Sequence, residues 1–258
     1  MDNKEMSVMD HIVEMRKRII ILFVSFAVAF IAGFFLATPL ITYLQAAPMA
    51  QDLPMNAFKM TDPFRVFMNF ATVIALVIIF PVILFQIWSF VSPGLHENER
   101  KATLGYIPFA FILFIGGVAF AYYILFPFII QFMGNLSARL GITEQYGINE
   151  YFQFLFQITI PMGLLFQLPV VVSFLTRLGI LTPSFLSKVR KYAYFVLLII
   201  AGFITPPDLV SHLMVTVPLL LLYEFSITLS RITHRKVLKA EKEREEALKR
   251  AEENNESL

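Results

Sequence analysis

The 258-residue chain contains no cysteine, which excludes disulfides, thiolate metal sites and cysteine nucleophiles, and leaves the redox compartment open. Charge is scarce as well: 16% of residues are Asp, Glu, Lys or Arg, and a net charge of +2 is too small to suggest nucleic acid as a partner. There is no His-Glu-x-x-His, no Gly-x-Ser-x-Gly, no phosphate loop and no pair of intramembrane aspartates, so the familiar catalytic signatures are missing. No tandem or inverted repeat is visible, which weakens a transporter built from two symmetric halves. Met1 to Asp10 carries Asp2, Glu5 and Asp10 instead of the basic start of a cleavable signal, so the first apolar run is expected to be retained.

What remains is apolar. The chain is 57% hydrophobic and 15% aromatic, with 28 Phe, a composition far from that of a soluble domain. It reads as an all-α integral membrane protein with one membrane domain and six spans, several of them kinked by proline. Ser7 to Arg18 reads as an amphipathic helix lying on the membrane surface, from the Ser7/Asp10 capping spacing and the helical intervals of Val8, Met9, Ile12 and Val13. Ile19 to Thr38 is the first span, ended by Pro39, and Pro39 to Pro63 an extramembrane loop. Phe64 to Phe90 is the second span, with Pro81 inside it. The third runs from about Thr103 to Met133, a second outer loop from Gly134 to Glu150, and the fourth from Tyr151 to Arg177, interrupted by Pro161 and Pro169. Tyr192 to Thr205 is short for a fifth span, at about 1.5 Å per residue against about 30 Å of hydrocarbon. Leu209 to Arg231 is the sixth. The chain thus divides into an N-terminal helix (1–18), a membrane domain (19–231) and a charged, solvated tail (232–258).

Of the 21 Lys and Arg residues, 18 fall at the two termini and in the second-to-third and fourth-to-fifth connections, leaving Lys59, Arg65 and Arg139 for the other side. The positive-inside rule then places both termini in the cytoplasm.

Few residues could carry chemistry. Glu224 is the one acidic residue inside an apolar span, a functional-site candidate unless it reaches headgroups or water near Arg231. Gln153 and Gln157 share a helix face and are expected to hydrogen-bond neighbouring helices. His11 and Glu14 lie three residues apart, but two ligands without a third fall short of a metal's usual closed set. Gln86 to Lys101, holding the one tryptophan and the Pro93-Gly94 turn, is either a connector or a docking surface. Glu14 on the amphipathic helix joins Glu97 and Glu99 of this stretch as carboxylates on a face crowded with cations. Glu14 could pair with Arg18 at i, i+4, yet an exposed pair of about 0 to 1 kcal/mol would yield to a better partner, such as the guanidinium of a peptide.

These residues resemble a known family. His11, Glu14, Arg16 and Arg18 form one motif; Phe80, Pro81, Gln86, Trp88, Phe90, Pro93 and Leu95, with Glu99 and Arg100, form a second. Phe120, Tyr122, Phe126 and Pro127 follow, then Phe203, Thr205, Pro206, Pro207 and Asp208, then Pro218 and Glu224. Over about His11 to Arg231 the chain is similar to the TatC subunit of the twin-arginine protein translocase.

The resemblance implies a receptor for the twin-arginine signal peptides of folded cargo, assembled with single-span TatA and TatB partners in the plasma membrane. Transport would draw on the proton-motive force, without cofactors, by a homo-oligomeric receptor complex. It implies signal-peptide binding by Glu14, Phe90 and Glu99 with Arg16 nearby, and shape, translocation or partner roles for Pro39, Pro81, Asp208 and Glu224. The spans would form a concave wall. Two positions depart from the pattern: Gln167 stands where many relatives carry a fourth-span Glu, and His212 replaces a common glutamine. A secondary transporter using Glu224, and a purely structural scaffold, remain as alternatives.

Overall fold

A computed structural model describes residues 8–51, 53, 55–92, 104–205 and 208–256. The chain forms two compact units, one up to Ile160 and one from Pro161 onward.

The first unit is organised by an antiparallel helix pair, α1 (Val8–Gln45) and α3 (Asp62–Val91). Ala29, Gly33 and Ala37 recur every fourth residue on one face of α1, and Ala71 and Ala75 answer them on α3; all are buried. Such stripes let two backbones approach closely where lipid offers no hydrophobic drive between helices. At Gly33 the approach is close enough that a Cβ would lie 2.4 Å from the Ala71 carbonyl oxygen. Leu22, Phe26 and Phe30 of α1 and Val82 and Ile83 of α3 pack around Ala29, Ala75 and Ile79. Phe34 meets Phe67 edge to face at 4.7 Å. Every step along α1 toward its N-terminus is matched by an equal step along α3 toward its C-terminus, from Gly33 against Ala71 down to Arg18 against Gln86.

In this unit, three boundaries differ from the sequence expectation. α1 passes through Arg18 and Ile19 without a break, because no glycine or proline separates the amphipathic stretch from the span. It also passes Pro39, which does not end it; proline is tolerated in apolar helices where neighbouring groups satisfy the freed carbonyl. The third apolar run continues to Leu140 as α4 (Tyr106–Phe120), a π-helical turn (Ala121–Leu125) and α5 (Phe126–Leu140), ended by Gly141 at φ 67°. The π turn stands just before Pro127, whose ring crowds the carbonyl four residues back and whose missing N–H cannot close an α turn.

Between these helices lie α2 (Pro48–Gln51) and a short parallel ladder, β1 (Met55–Asn56) on β2 (Tyr146–Gly147), which ties the two loops together. There the Tyr146 phenol is pushed up to about 12, first by burial and then by its hydrogen bond with Glu144. Buried Asp62 accepts the Lys59 backbone N–H at 2.8 Å and anchors the start of α3. Phe70 sits edge-on to Phe152 and Phe156, both at 4.8 Å, which packs α3 against α6 (Ile148–Leu165). That choice of face leaves Gln153 and Gln157 exposed instead of bonded to neighbouring helices.

In the second unit, α7 (Leu168–Arg177), α8 (Pro183–Lys188) and α9 (Arg190–Ile204) all pack on α10 (Leu209–Glu256). Pro169 sits at the start of α7 and so opens that helix; the chain breaks at Phe166 and Gln167. The buried stripe of α10 runs Ser211, Val215, Leu219, Leu222, Ser226, Ser230 and Thr233, at helical spacings of three and four. Ser226 Oγ on this stripe donates to the Leu222 carbonyl at 2.7 Å, Thr176 and Ser230 share a 2.7 Å hydrogen bond, and the Tyr223 phenol donates to the Leu186 carbonyl at 3.0 Å, while the Ser211 hydroxyl is buried without a partner. The expected tail is a continuation of α10 with no interruption at Arg231.

Among the described residues, five helices are long and apolar enough to cross a membrane by length and composition. The fifth expected span corresponds to α9, whose 15 residues reach about 22 Å.

Candidate functional site

The register of α1 on α3 brings two stretches singled out in the sequence to one corner. Glu14 and Arg18 stand one turn apart on the same face of α1, and Gln86, Ser89 and Phe90 line the last turns of α3. The Arg18 guanidinium donates to the Glu14 carboxylate, to the Ser89 carbonyl at 3.0 Å, and to both the backbone carbonyl and the side-chain oxygen of Gln86 at 3.3 Å. Its carbon lies 5.9 Å from the centre of the Phe90 ring, within cation–π range.

The local chemistry explains why a cation settles here. The last carbonyls of a helix lack N–H partners, and Ser89 is among them; the residue four positions on is Pro93, which has no N–H to give. Ser92 Oγ donates to the Ser89 carbonyl at 3.2 Å, and Arg18 supplies the second donor. A positive group at this end also meets the negative pole of the helix dipole. The corner is only partly open to water, with Arg18 15% and Glu14 26% exposed, so its charges are screened less than those of a surface pair.

Of the residues expected in signal recognition, Glu14 and Phe90 are therefore held against one guanidinium. Arg16, two residues along α1 and on another face, is exposed. Glu99 and Glu97 lie outside the described residues. Arg18 and Gln86 play a part the sequence reading does not assign: it offers Arg18 as an i, i+4 partner for Glu14 and Gln86 as the start of the connector-or-docking stretch, each within a motif but neither in the recognition set. The Ser89–Pro93 spacing carries the signal that a carbonyl here needs an outside donor.

The remaining candidates do not join this corner. Pro39 and Pro81 lie inside α1 and α3. Asp208 caps α10, its Oδ1 accepting the Ser211 backbone N–H at 2.7 Å, and Glu224 lies sixteen residues further along that helix, about 24 Å away. Glu224 is neither isolated in an apolar span nor paired with Arg231. Arg190 donates to its Oε2 at 2.9 Å and the Tyr194 phenol to its Oε1 at 2.5 Å, from successive turns of α9. With the two charges 38% and 39% exposed, the pair is half in water and contributes about 0 to 1 kcal/mol. The lone titrating carboxylate required by a secondary transporter is thus not what the fold presents at Glu224.

Comparison with known proteins gives the family of the chain. Residues 10–218 match the family model of the Sec-independent protein translocase protein (TatC). The chain is 69% identical to the Sec-independent protein translocase protein TatC of Halalkalibacterium halodurans, over 98% of this chain and 100% of that protein. It is 59% identical to TatCy of Bacillus subtilis, over 92% and 93% respectively. Among solved structures, it matches a crystal structure of the twin-arginine translocase receptor TatC with a TM-score of 0.76 and 29% identity, covering 86% of this chain and 99% of that one. The match takes in both the Glu14–Arg18 segment and the α3 terminus that receives it, and the chain belongs to the TatC family of Sec-independent protein translocase components, multi-pass membrane proteins of protein transport.

Proposed function

We propose that the chain is the signal-peptide receptor of a twin-arginine translocase, and that the corner of Glu14 and Phe90, joined by Glu99, binds the arginines of the signal. The observation that carries this reading is the guanidinium already seated there. A site that satisfies Arg18 with a carboxylate, helix-end carbonyls and an aromatic face has the chemistry to satisfy a peptide arginine. It favours Arg over Lys, because a planar guanidinium fork matches a carboxylate bidentately and stacks on an aromatic face, which a compact ammonium cannot do. Arg16, exposed on the same turn, adds to the charge field at the entrance.

Ion pairing alone is too weak to hold a peptide at a wet surface, so the apolar segment of the signal supplies the rest by burial along the spans, at about 25 cal/mol per Å². The charge distribution supports a plasma-membrane protein with both termini cytoplasmic, and α9, as a short fifth span, brings the number of spans to six. In this reading Pro39 and Pro81 shape their helices, the N-terminal residues 1–18 form the recognition element and 232–258 the cytoplasmic tail. Exposed apolar side chains such as Phe23, Phe35 and Phe203 face lipid, single-span TatA- and TatB-type partners or further copies of the chain in the receptor complex. Asp208 and Glu224 then act in partner contact or translocation driven by the proton-motive force.

The test is export of a folded reporter bearing a twin-arginine signal, in cells carrying Glu14→Ala or Glu99→Ala. Each substitution is expected to reduce export at least tenfold at unchanged membrane abundance. Undiminished export in both would overturn the receptor site and favour a scaffold.

A further inference from the structure

We infer that Arg18 is a resident stand-in for the signal arginine, and that a peptide enters by displacing it. The inference rests on the reading of Glu14 and Phe90 as the peptide's arginine site, and it adds what occupies that site beforehand and what the occupancy does to affinity.

Three observations carry it. First, Arg18 consumes the same groups a peptide arginine would use: the Glu14 carboxylate, the Ser89 carbonyl and the face of Phe90. Two guanidinium planes cannot share those acceptors, and two cations side by side in a partly dehydrated corner repel. Second, Arg18 is imperfectly held. Its Nε is buried without a hydrogen-bond partner, and its two contacts to Gln86 are long at 3.3 Å. An arginine that leaves a donor unmet is easier to dislodge than one that is fully bonded. Third, Arg18 has somewhere to go. The neighbouring Arg16 and Lys17 are exposed, so a flexible side chain released from the corner turns into an environment that already accepts cations.

The consequence is quantitative. A built-in occupant lowers the apparent affinity of every peptide by the fraction of time the site is open. It lowers twin-arginine and twin-lysine signals by the same factor, so it leaves their ratio alone and moves both on the concentration scale. Arg18 therefore sets a threshold: discrimination comes from the geometry of Glu14, Phe90 and the helix-end carbonyls, and Arg18 decides how strong a signal must be to register.

The full-length protein in lipid nanodiscs tests this, titrated with a synthetic twin-arginine signal peptide and its twin-lysine counterpart. The emission of Trp88, the one tryptophan in the chain and a neighbour of Ser89, serves as reporter. Arg18→Gln is expected to tighten both peptides by about tenfold, equivalent to about 1.4 kcal/mol, with the Arg-to-Lys ratio unchanged. Arg18→Lys keeps a cation at the end of α3 but loses the fork, and is expected to tighten both by about two- to fourfold. Weaker or unaltered binding in Arg18→Gln, or a collapsed Arg-to-Lys ratio, would show that Arg18 organises the site and would overturn the inference. Should Arg18→Gln fail to fold, unaltered or weaker binding in Arg18→Lys overturns it equally. Glu14→Gln separates the two levels. If it weakens peptide binding while the Arg18 variants fail to tighten it, only the stand-in is wrong; if it leaves binding untouched, the arginine site itself is wrong.

Discussion

Gly33→Ala adds a single methyl group in the middle of the α1–α3 contact. Its Cβ would lie 2.4 Å from the Ala71 carbonyl oxygen, about 1 Å inside ordinary contact, and the obstacle is backbone that cannot rotate away. The two helices must therefore part locally by about 1 Å. Ala29, Ala37 and Ala75 are buried in the same seam, and a gap of that size forfeits about a quarter to a half of each contact's attraction. Overpacking of this kind costs about 1 to 3 kcal/mol. The displacement also reaches the Glu14–Arg18 corner, about 22 Å down the helix pair from Gly33. There the Arg18 contacts at 3.0 and 3.3 Å have little slack before they cease to be hydrogen bonds. Thermal unfolding in detergent, followed by helical circular dichroism, should show a lower midpoint for Gly33→Ala, with a parallel loss of twin-arginine export. Gly116→Ala is the control, because nothing lies within 4 Å of a Cβ there, and it should be neutral or slightly stabilising. Equal midpoints and equal export for Gly33→Ala and wild type would refute the close-packed register.

Two further outcomes follow from the second unit. Asp208→Ala removes the side-chain cap of α10 and should lower stability by about 0.5 to 2 kcal/mol, whereas Asp208→Asn, which keeps an acceptor oxygen, should recover most of it in the same unfolding assay. Glu224→Gln removes the ion pair and one of the two acceptor oxygens, leaving the amide oxygen to accept from Arg190 or Tyr194. It should change stability by less than about 1 kcal/mol and leave proteoliposomes without any new or lost solute flux; a flux abolished by this substitution would restore the transporter reading.

The apolar runs were legible because about twenty lipid-compatible residues in a row leave little choice but a helix. Their ends were less so. Pro39 looks like a terminator on rules learned in water, yet α1 carries it, and Arg18–Ile19 looks like a change of environment yet not of conformation. The α1–α3 seam was written in the spacing of Ala29, Gly33 and Ala37, but only a partner with Ala71 and Ala75 at matching intervals turns that spacing into a register. Glu14 was legible as a carboxylate out of keeping with its surroundings. The part of Arg18 was not, because two of its acceptors on α3 are the backbone carbonyls of Gln86 and Ser89, and no side-chain pattern announces those beyond the position of Pro93. Gln153 and Gln157 show the reverse failure: a shared polar face suggested helix pairing, while Phe152 and Phe156 took the packing side against Phe70.

The central claim is that the corner built by Glu14 and Phe90 recognises a peptide guanidinium. A photoreactive amino acid at Ile87, an exposed position on the last turns of α3, tests it in membranes with twin-arginine and twin-lysine signal peptides. Strong labelling by the twin-arginine peptide, several-fold weaker labelling by the twin-lysine peptide, and loss of the difference in Glu14→Gln are expected. Equal labelling by the two peptides in the unmodified site would contradict arginine recognition there.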